Sequence, residues 1–182
     1  MLVGRVRRGE PNAFGELYER HVDRVYRYFS FRTRDEPVAR ELTHDVFVRA
    51  IEGLGQLRDV ERFGGWLLRI AHNTLVNHWQ RAGRRLVETS LESHETGEPR
   101  PVEDSDDGLA RAEHRLRLES LLAGAEALND RQREVLALRF AAGLSVREAA
   151  GVMACSEQAV KQLQRRALLA LRRSLDEGET GR

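Results

Sequence analysis

The chain of 182 residues has one cysteine, a single lysine (Lys161) and four prolines. One thiol excludes an internal disulfide and any cysteine-rich zinc site, so Cys155 reads as a packing residue. No apolar run approaches the roughly 20 residues of a membrane span. The opening MLVGRVRRGEPNAF also lacks the apolar stretch of a secretory signal. A cytoplasmic location away from membranes is therefore expected. Sustained alternation of apolar and polar residues is absent too, which argues against sheets. A glycine-rich phosphate loop, metal-ligand spacing and a nucleophile with its base are likewise missing. His72 and His78 stand too far out of phase to share one helix face as a metal pair. No catalytic residue, cofactor or metal is expected.

Apolar residues recurring at three and four predict an all-α fold. The 41% hydrophobic content suffices for packed cores. Two small helical bundles joined by a flexible acidic linker are expected, the C-terminal one a helix-turn-helix domain. The boundaries fall at 1–86, 87–108 and 109–175, with a fraying tail at 176–182. The net charge of +1 conceals this division, because residues 88–107 carry −7 and the remainder +8. That acidic stretch holds Pro99 and Pro101 and few large apolar residues, the composition of a linker.

In the first bundle a helix is expected from Asn12 as its cap, with Phe14, Leu17, Tyr18, Val22, Val25, Tyr26 and Phe29 on one side. Pro37 opens a second, with Val38, Leu42, Val46 and Ile51 inward and Arg49 pointing out. A loop with Gly53, Gly55, Gly64 and Gly65 leads to a third helix, from about Trp66 to Ala82. The stretch 64–87 contains no acid, but four arginines, two histidines and two tryptophans. Leu67, Ile70, Ala71 and Leu75 would be buried, while Arg69, Asn73, Asn77, Gln80, Arg81 and Arg84 recur on another side. Basic groups attract a phosphate backbone, and exposed aromatic rings such as Trp66 and Trp79 stack on unpaired bases.

In the second bundle helical spacing resumes at Leu109, with Leu116, Leu118, Leu121 and Leu122. Asn129 with Gln132, and Ser145 with Glu148, have capping-box spacing, and Gly143 suits a left-handed helix end. Helices are expected from Asp130 to Ala142, after Ser145, and after Ser156. The last, SEQAVKQLQRRALLALRR, carries Val160, Leu163, Ala167 and Leu171 inward. A short helix, a tight turn and a longer basic helix form the plan whose second helix enters the DNA major groove. Ser156, Gln158, Lys161 and Gln162 lie nearest the capped end, where bases are reached. Arg165, Arg166 and Arg172 are placed to hold phosphates, which position without reading sequence.

Taken together, AFGELYERHVDRVYRY, ELTHDVFVRAI, RFGGWLLRIAHNTLVNHWQR and the run from LNDRQREVLALRF to LLALRR resemble the two-domain extracytoplasmic-function (ECF) sigma factors. The resemblance covers nearly all of the chain outside the linker and tails. It implies a subunit that binds core RNA polymerase and gives it promoter specificity. It assigns Asp45 and Arg49 to the beta-prime coiled coil, and implies the beta flap as a further contact on core polymerase. Residues 54–64 would lodge a base flipped from the non-template strand. Trp66, Arg69, Asn73, Asn77, Trp79, Arg81 and Arg84 would serve the minus-ten element. Ser156, Gln158, Lys161, Gln162, Arg165 and Arg166 would serve the minus-thirty-five element. An anti-sigma factor is implied as a further partner. The linker would run through the polymerase channel, although a merely solvating spacer has the same composition.

The chain departs from the family pattern at Ala154, commonly glycine, at His44, commonly glutamine, and at Asn77, commonly aspartate. Leu163 and Gln164 replace a frequent Arg-Leu pair. A left-handed Ala154 would carry strain of about 1 kcal/mol. The competing reading is a stand-alone helix-turn-helix regulator whose first bundle senses a ligand or dimerises. Such a domain has no use for an acid-free, arginine-rich helix with two tryptophans.

Overall fold

The computed structural model describes residues 2–10, 12–57, 59, 62–88 and 128–180, with backbone alone for 84–88 and 175–180. It divides into two compact units, Met1–Pro101 and Val102–Arg182. Among the described residues there are helices and no strand. From residue 89 to 127 the expected linker and the expected resumption of helix at Leu109 lie outside the described residues.

The first unit contains α1 (Leu2–Arg7), α2 (Ala13–Thr33), α3 (Glu36–Gly53), a 3₁₀ turn (Leu54–Gln56) and α4 (Phe63–Glu88). The six residues of α1 are too few to show a period, so the sequence predicts no helix there. Val3, 3% exposed, anchors it to the core. Arg5 also bonds Glu10 at 2.8 Å and Glu16 at 2.9 Å. Asn12 precedes α2 as expected but does not cap it with its side chain: its φ is +64° and no such hydrogen bond forms. The left-handed residue instead turns the chain between α1 and α2, a conformation asparagine tolerates.

On α2, Leu17, Val25 and Phe29 are buried as expected, together with Tyr28, Phe31 and Arg32. Tyr18 is 39% exposed, with its ring beside Phe47 at 4.6 Å. Asp35 caps α3 by accepting from the Val38 amide at 3.0 Å, and Pro37 sits in the first turn, where a missing N–H costs nothing. Ala39, Leu42, Val46, Phe47 and Ala50 form the inward face of α3. Ile51 was expected among them and is 54% exposed. The reason is angular: five residues beyond Val46 is about 140° around a helix.

α4 is longer at both ends than the expected Trp66–Ala82. Gly64 marks a close approach rather than a loop, since a Cβ there would lie 3.0 Å from Arg24 Nη1 and 3.8 Å from His21 Cε1. Beyond Ala82, leucine and arginine are good helix formers, which favours continuation of the backbone helix. Leu67, Leu68, Ala71 and Leu75 are fully buried, each such side chain stabilising by about 1.5–3 kcal/mol for the larger ones. Ile70 is half-buried, and Thr74 takes a core place beside Leu75.

The second unit contains α5 (Asp130–Leu136), a π-helical turn (Ala137–Ala141), α6 (Val146–Val152) and α7 (Glu157–Thr180). Both expected capping boxes form, at Asn129 with Gln132 and at Ser145 with Glu148. The helix expected to reach Ala142 changes register after Leu136. The Ala142 amide bonds the Ala137 carbonyl at 2.8 Å, and the Leu144 amide bonds Leu138 at 2.9 Å across Gly143, whose φ is +63°. Val160, Ala167 and Leu171 on α7 are buried as expected, and Leu163 is half-buried. α7 continues to Thr180, past the expected end near Ser174. The tail at 181–182 lies outside the described residues.

Candidate nucleic-acid interface

The surface of α4 carries Arg69, Asn73, Asn77, Gln80 and Arg81, all exposed. Leu67, Ala71 and Leu75 hold the opposite side in the core, so this polar stripe is turned outward by burial of the other. Arg84 belongs to α4 by its backbone, and its side chain lies outside the described residues.

The two tryptophans do different work. Trp66 is half-buried, 5.7 Å from the Phe63 ring, and a Cβ added to Gly53 would lie 3.2 Å from its Cζ2. It therefore closes the junction between α3 and α4. Trp79 is 37% exposed and has the Arg32 guanidinium carbon 4.6 Å from its ring centroid. Arg32 is itself buried, so it covers one face of the indole by a cation–π contact. Two residues beyond Asn77, Trp79 stands about 200° around the helix, outside the stripe of amides and arginines.

His21 packs edge-on against Phe63 at 5.0 Å. Burial, with the nearby positive charges of Arg24 and Arg20, holds its imidazole below the usual histidine range. The ring is thus a neutral packing group at the base of α4. His72 and His78 are half-buried, flanking the exposed stripe.

On α3 the expected pair Asp45 and Arg49 lies within 3.9 Å. Arg49 does not point freely outward: its Nη1 donates to Thr74 Oγ1 at 2.6 Å, tying α3 to α4. The exposed side of α3 is built instead from Glu41, His44, Val48, Ile51 and Glu52. Val48 and Ile51 were missed as surface residues. Val48 stands four residues after the exposed His44 and Ile51 three after Val48, and that helical spacing is the available signal.

In the second unit, Met153–Ser156 separates α6 from α7. Ala154 has φ +49°, and the Cys155 amide bonds the Ala150 carbonyl at 3.1 Å, closing α6 in a Schellman-type end. Ser156 then caps α7 by accepting from the Ala159 amide at 3.1 Å. Ser156 is exposed at the cap, and Gln158, Lys161, Gln162, Arg165, Arg166 and Arg172 are exposed on α7, so the expected reading and phosphate groups of the helix share a surface opposite Val160. Gln164 is used otherwise, since its Oε1 accepts from Arg139 Nε at 3.1 Å. Arg139 also donates to the Leu144 carbonyl. The π turn therefore aims one arginine at both the inter-helix turn and the middle of α7, an arrangement the sequence does not signal.

Among the described residues no group of three histidine, cysteine or acidic side chains could hold a metal, and no helix is long and apolar enough to cross a membrane. Residues 17–85 match the family described as Sigma-70 region 2, and residues 125–173 match Sigma-70, region 4. The chain is 40% identical over 177 residues to the ECF RNA polymerase sigma factor BldN of Streptomyces coelicolor, covering 96% of this chain and 64% of that relative's length. It is 27% identical to a chain in the structure of CnrH in complex with the cytosolic domain of CnrY, with TM-score 0.65 and coverage of 97% and 96%. The fold is shared, at TM-score 0.72 and 18% identity, with a chain of the sigma factor RpoE complex with the anti-sigma factor NepR from Bartonella quintana; the match covers 91% of this chain and 98% of that one.

Proposed function

Because the chain belongs to the ECF group of the sigma-70 family of RNA polymerase sigma factors, we propose that it binds core RNA polymerase and directs initiation at a particular set of promoters. It performs no chemical step. Its two units grip different forms of DNA. The exposed side of α7 reads the minus-thirty-five element as duplex from the major groove, with Gln158, Lys161 and Gln162 at the bases and Arg165 and Arg166 on phosphates. The exposed stripe of α4, Arg69, Asn73, Asn77 and Arg81, follows the minus-ten strand, with Trp79 offering one stacking face. Asp45 belongs to the α3 surface that meets the beta-prime coiled coil, extended here to Val48 and Ile51.

The observation that carries this reading is the presence in one chain of two separately folded basic surfaces, within matches to sigma-70 regions 2 and 4. Either surface alone would fit many DNA-binding proteins. Unpairing a base costs a few kcal/mol, so the two are mounted on polymerase, which holds both ends of the promoter at once. Polymerase and promoter as partners place the protein in the cytoplasm. Control by an anti-sigma factor follows from the complexes of its structural neighbours, RpoE with the anti-sigma factor NepR among them.

Run-off transcription from a genomic fragment library tests this directly. Purified core polymerase should gain new start sites when the protein is added. Failure to associate with core, together with tight binding of a palindromic operator by the protein alone, would overturn the reading.

A further inference from the structure

Arg7 closes α1 and reaches the turn that follows α3. Its Nε donates to the Leu54 carbonyl at 3.2 Å, and its Nη2 donates to the carbonyls of Leu54 at 2.9 Å, Gly55 at 3.2 Å and Leu57. Helix and turn ends leave such carbonyls without partners of their own. The planar fork of an arginine satisfies several at fixed angles, which the point charge of a lysine does not. The side chains of Leu54 and Leu57 are buried, but the backbone between them has few bonds of its own: Gly53 precedes the turn, Gly55 lies within it, and its Leu57 amide to Leu54 carbonyl bond is 3.3 Å long. Glycine leaves such a segment many alternatives when nothing constrains it.

α1 is itself fixed, by the buried Val3 and by the bonds of Arg5 to Glu10 and Glu16. Arg5 thus ties α1 to α2, and Arg7, two residues along the same helix, ties α1 to the turn at 54–57. On the reading of this unit as the one that captures an unpaired promoter base, we propose that Arg7 is a positioning residue for promoter opening. It sets the shape of Leu54–Leu57 before DNA arrives, at the start of the segment leading into α4. A preset turn spares the ordering entropy that a backbone loosened by Gly53 and Gly55 would lose on receiving a base. Arg7 reaches the base through the turn and does not need to touch it.

The test uses holoenzyme assembled from core polymerase and the full chain. Pre-opened promoter fragments carry either natural bases or one abasic site, moved stepwise through the minus-ten segment of the non-template strand. With the wild-type chain, one abasic position should speed dissociation about tenfold, the effect of losing one stacked base. Arg7→Ala and Arg7→Lys should keep core binding, cut that abasic penalty to about twofold or less, and speed hydrogen exchange at the Leu57 amide. Variants that keep the wild-type abasic penalty would overturn the proposal. Loss of core binding in both variants would overturn it as well, assigning Arg7 to the stability of the whole bundle. A wild-type chain indifferent to every abasic site would instead remove the base-capture reading on which the proposal rests.

Discussion

Replacing Ala154 by glycine should stabilise the second unit, although it removes a methyl group and adds no contact. Ala154 holds φ at +49° in the turn between α6 and α7. An L-residue in that region is disfavoured by about 1–2 kcal/mol, because its Cβ crowds the following carbonyl oxygen. Glycine escapes this crowding but brings a more flexible unfolded chain, which offsets about 0.5–1 kcal/mol. From the middle of each range the net gain is about 0.75 kcal/mol. In a unit of this size that corresponds to a rise in Tm of about 3–6 °C. The bond from the Cys155 amide to the Ala150 carbonyl keeps the same backbone path in both proteins. The change is best read by thermal unfolding of the full chain together with hydrogen exchange of the α6 and α7 amides, which isolates the second unit from the first. Ala154→Val supplies the opposite sign, since a branched side chain is disfavoured more strongly at positive φ. If Ala154→Gly leaves protection unchanged or lowers it, while Ala154→Val is tolerated, the turn is not strained and the reasoning fails.

Ser145→Ala removes one half of the capping box with Glu148 and should lower the stability of the second unit by about 1 kcal/mol, measurable by denaturant unfolding. His21 gives a pH dependence of defined sign. Its folded-state pKa lies below the ordinary 6.5, so the unfolded chain takes up the proton first as pH falls. Stability of the first unit should therefore drop as pH falls below about 6.5 toward the depressed folded pKa, and Tm curves of His21→Gln should lose that component. On DNA, Lys161→Ala and Gln162→Ala should weaken upstream-element binding, whereas Asn73→Ala and Trp79→Ala should chiefly slow strand opening. Equal loss of both activities in all four variants would contradict the division of labour. Arg165→Ala should weaken binding to all sequences alike and reduce the slope of log affinity against log salt by about 1.

Much of the fold is legible in the residue order because helix ends carry local chemistry. Asn129, Ser145 and Ser156 accept from amides three residues on, and Gly143 adopts the left-handed form, all set by neighbours in sequence. The same local rule failed at Asn12, where the direction of the incoming α1 selects a positive φ and takes the side chain off the amides. Inward faces followed wherever the apolar period was unbroken, as at Val160, Ala167 and Leu171. Ile51 departs from that rule, because its angle on α3 turns it outward despite its hydrophobic side chain. Contacts between elements were not legible. Arg49 with Thr74, Arg139 with Gln164, Arg32 with Trp79 and Arg7 with the 54–57 carbonyls each join residues at least 25 apart, and no local period encodes them. The proposed reading residues on α7 and α4 are legible only as exposed, polar positions on helices whose other sides are buried.

Photo-crosslinking in a single complex probes both surfaces together. A crosslinker at Gln162 should label upstream duplex and one at Asn73 the non-template strand of the opened minus-ten segment, both requiring core polymerase. Labelling of one duplex site from both positions, with core polymerase making no difference, would contradict two surfaces working on separate promoter segments from a shared mount.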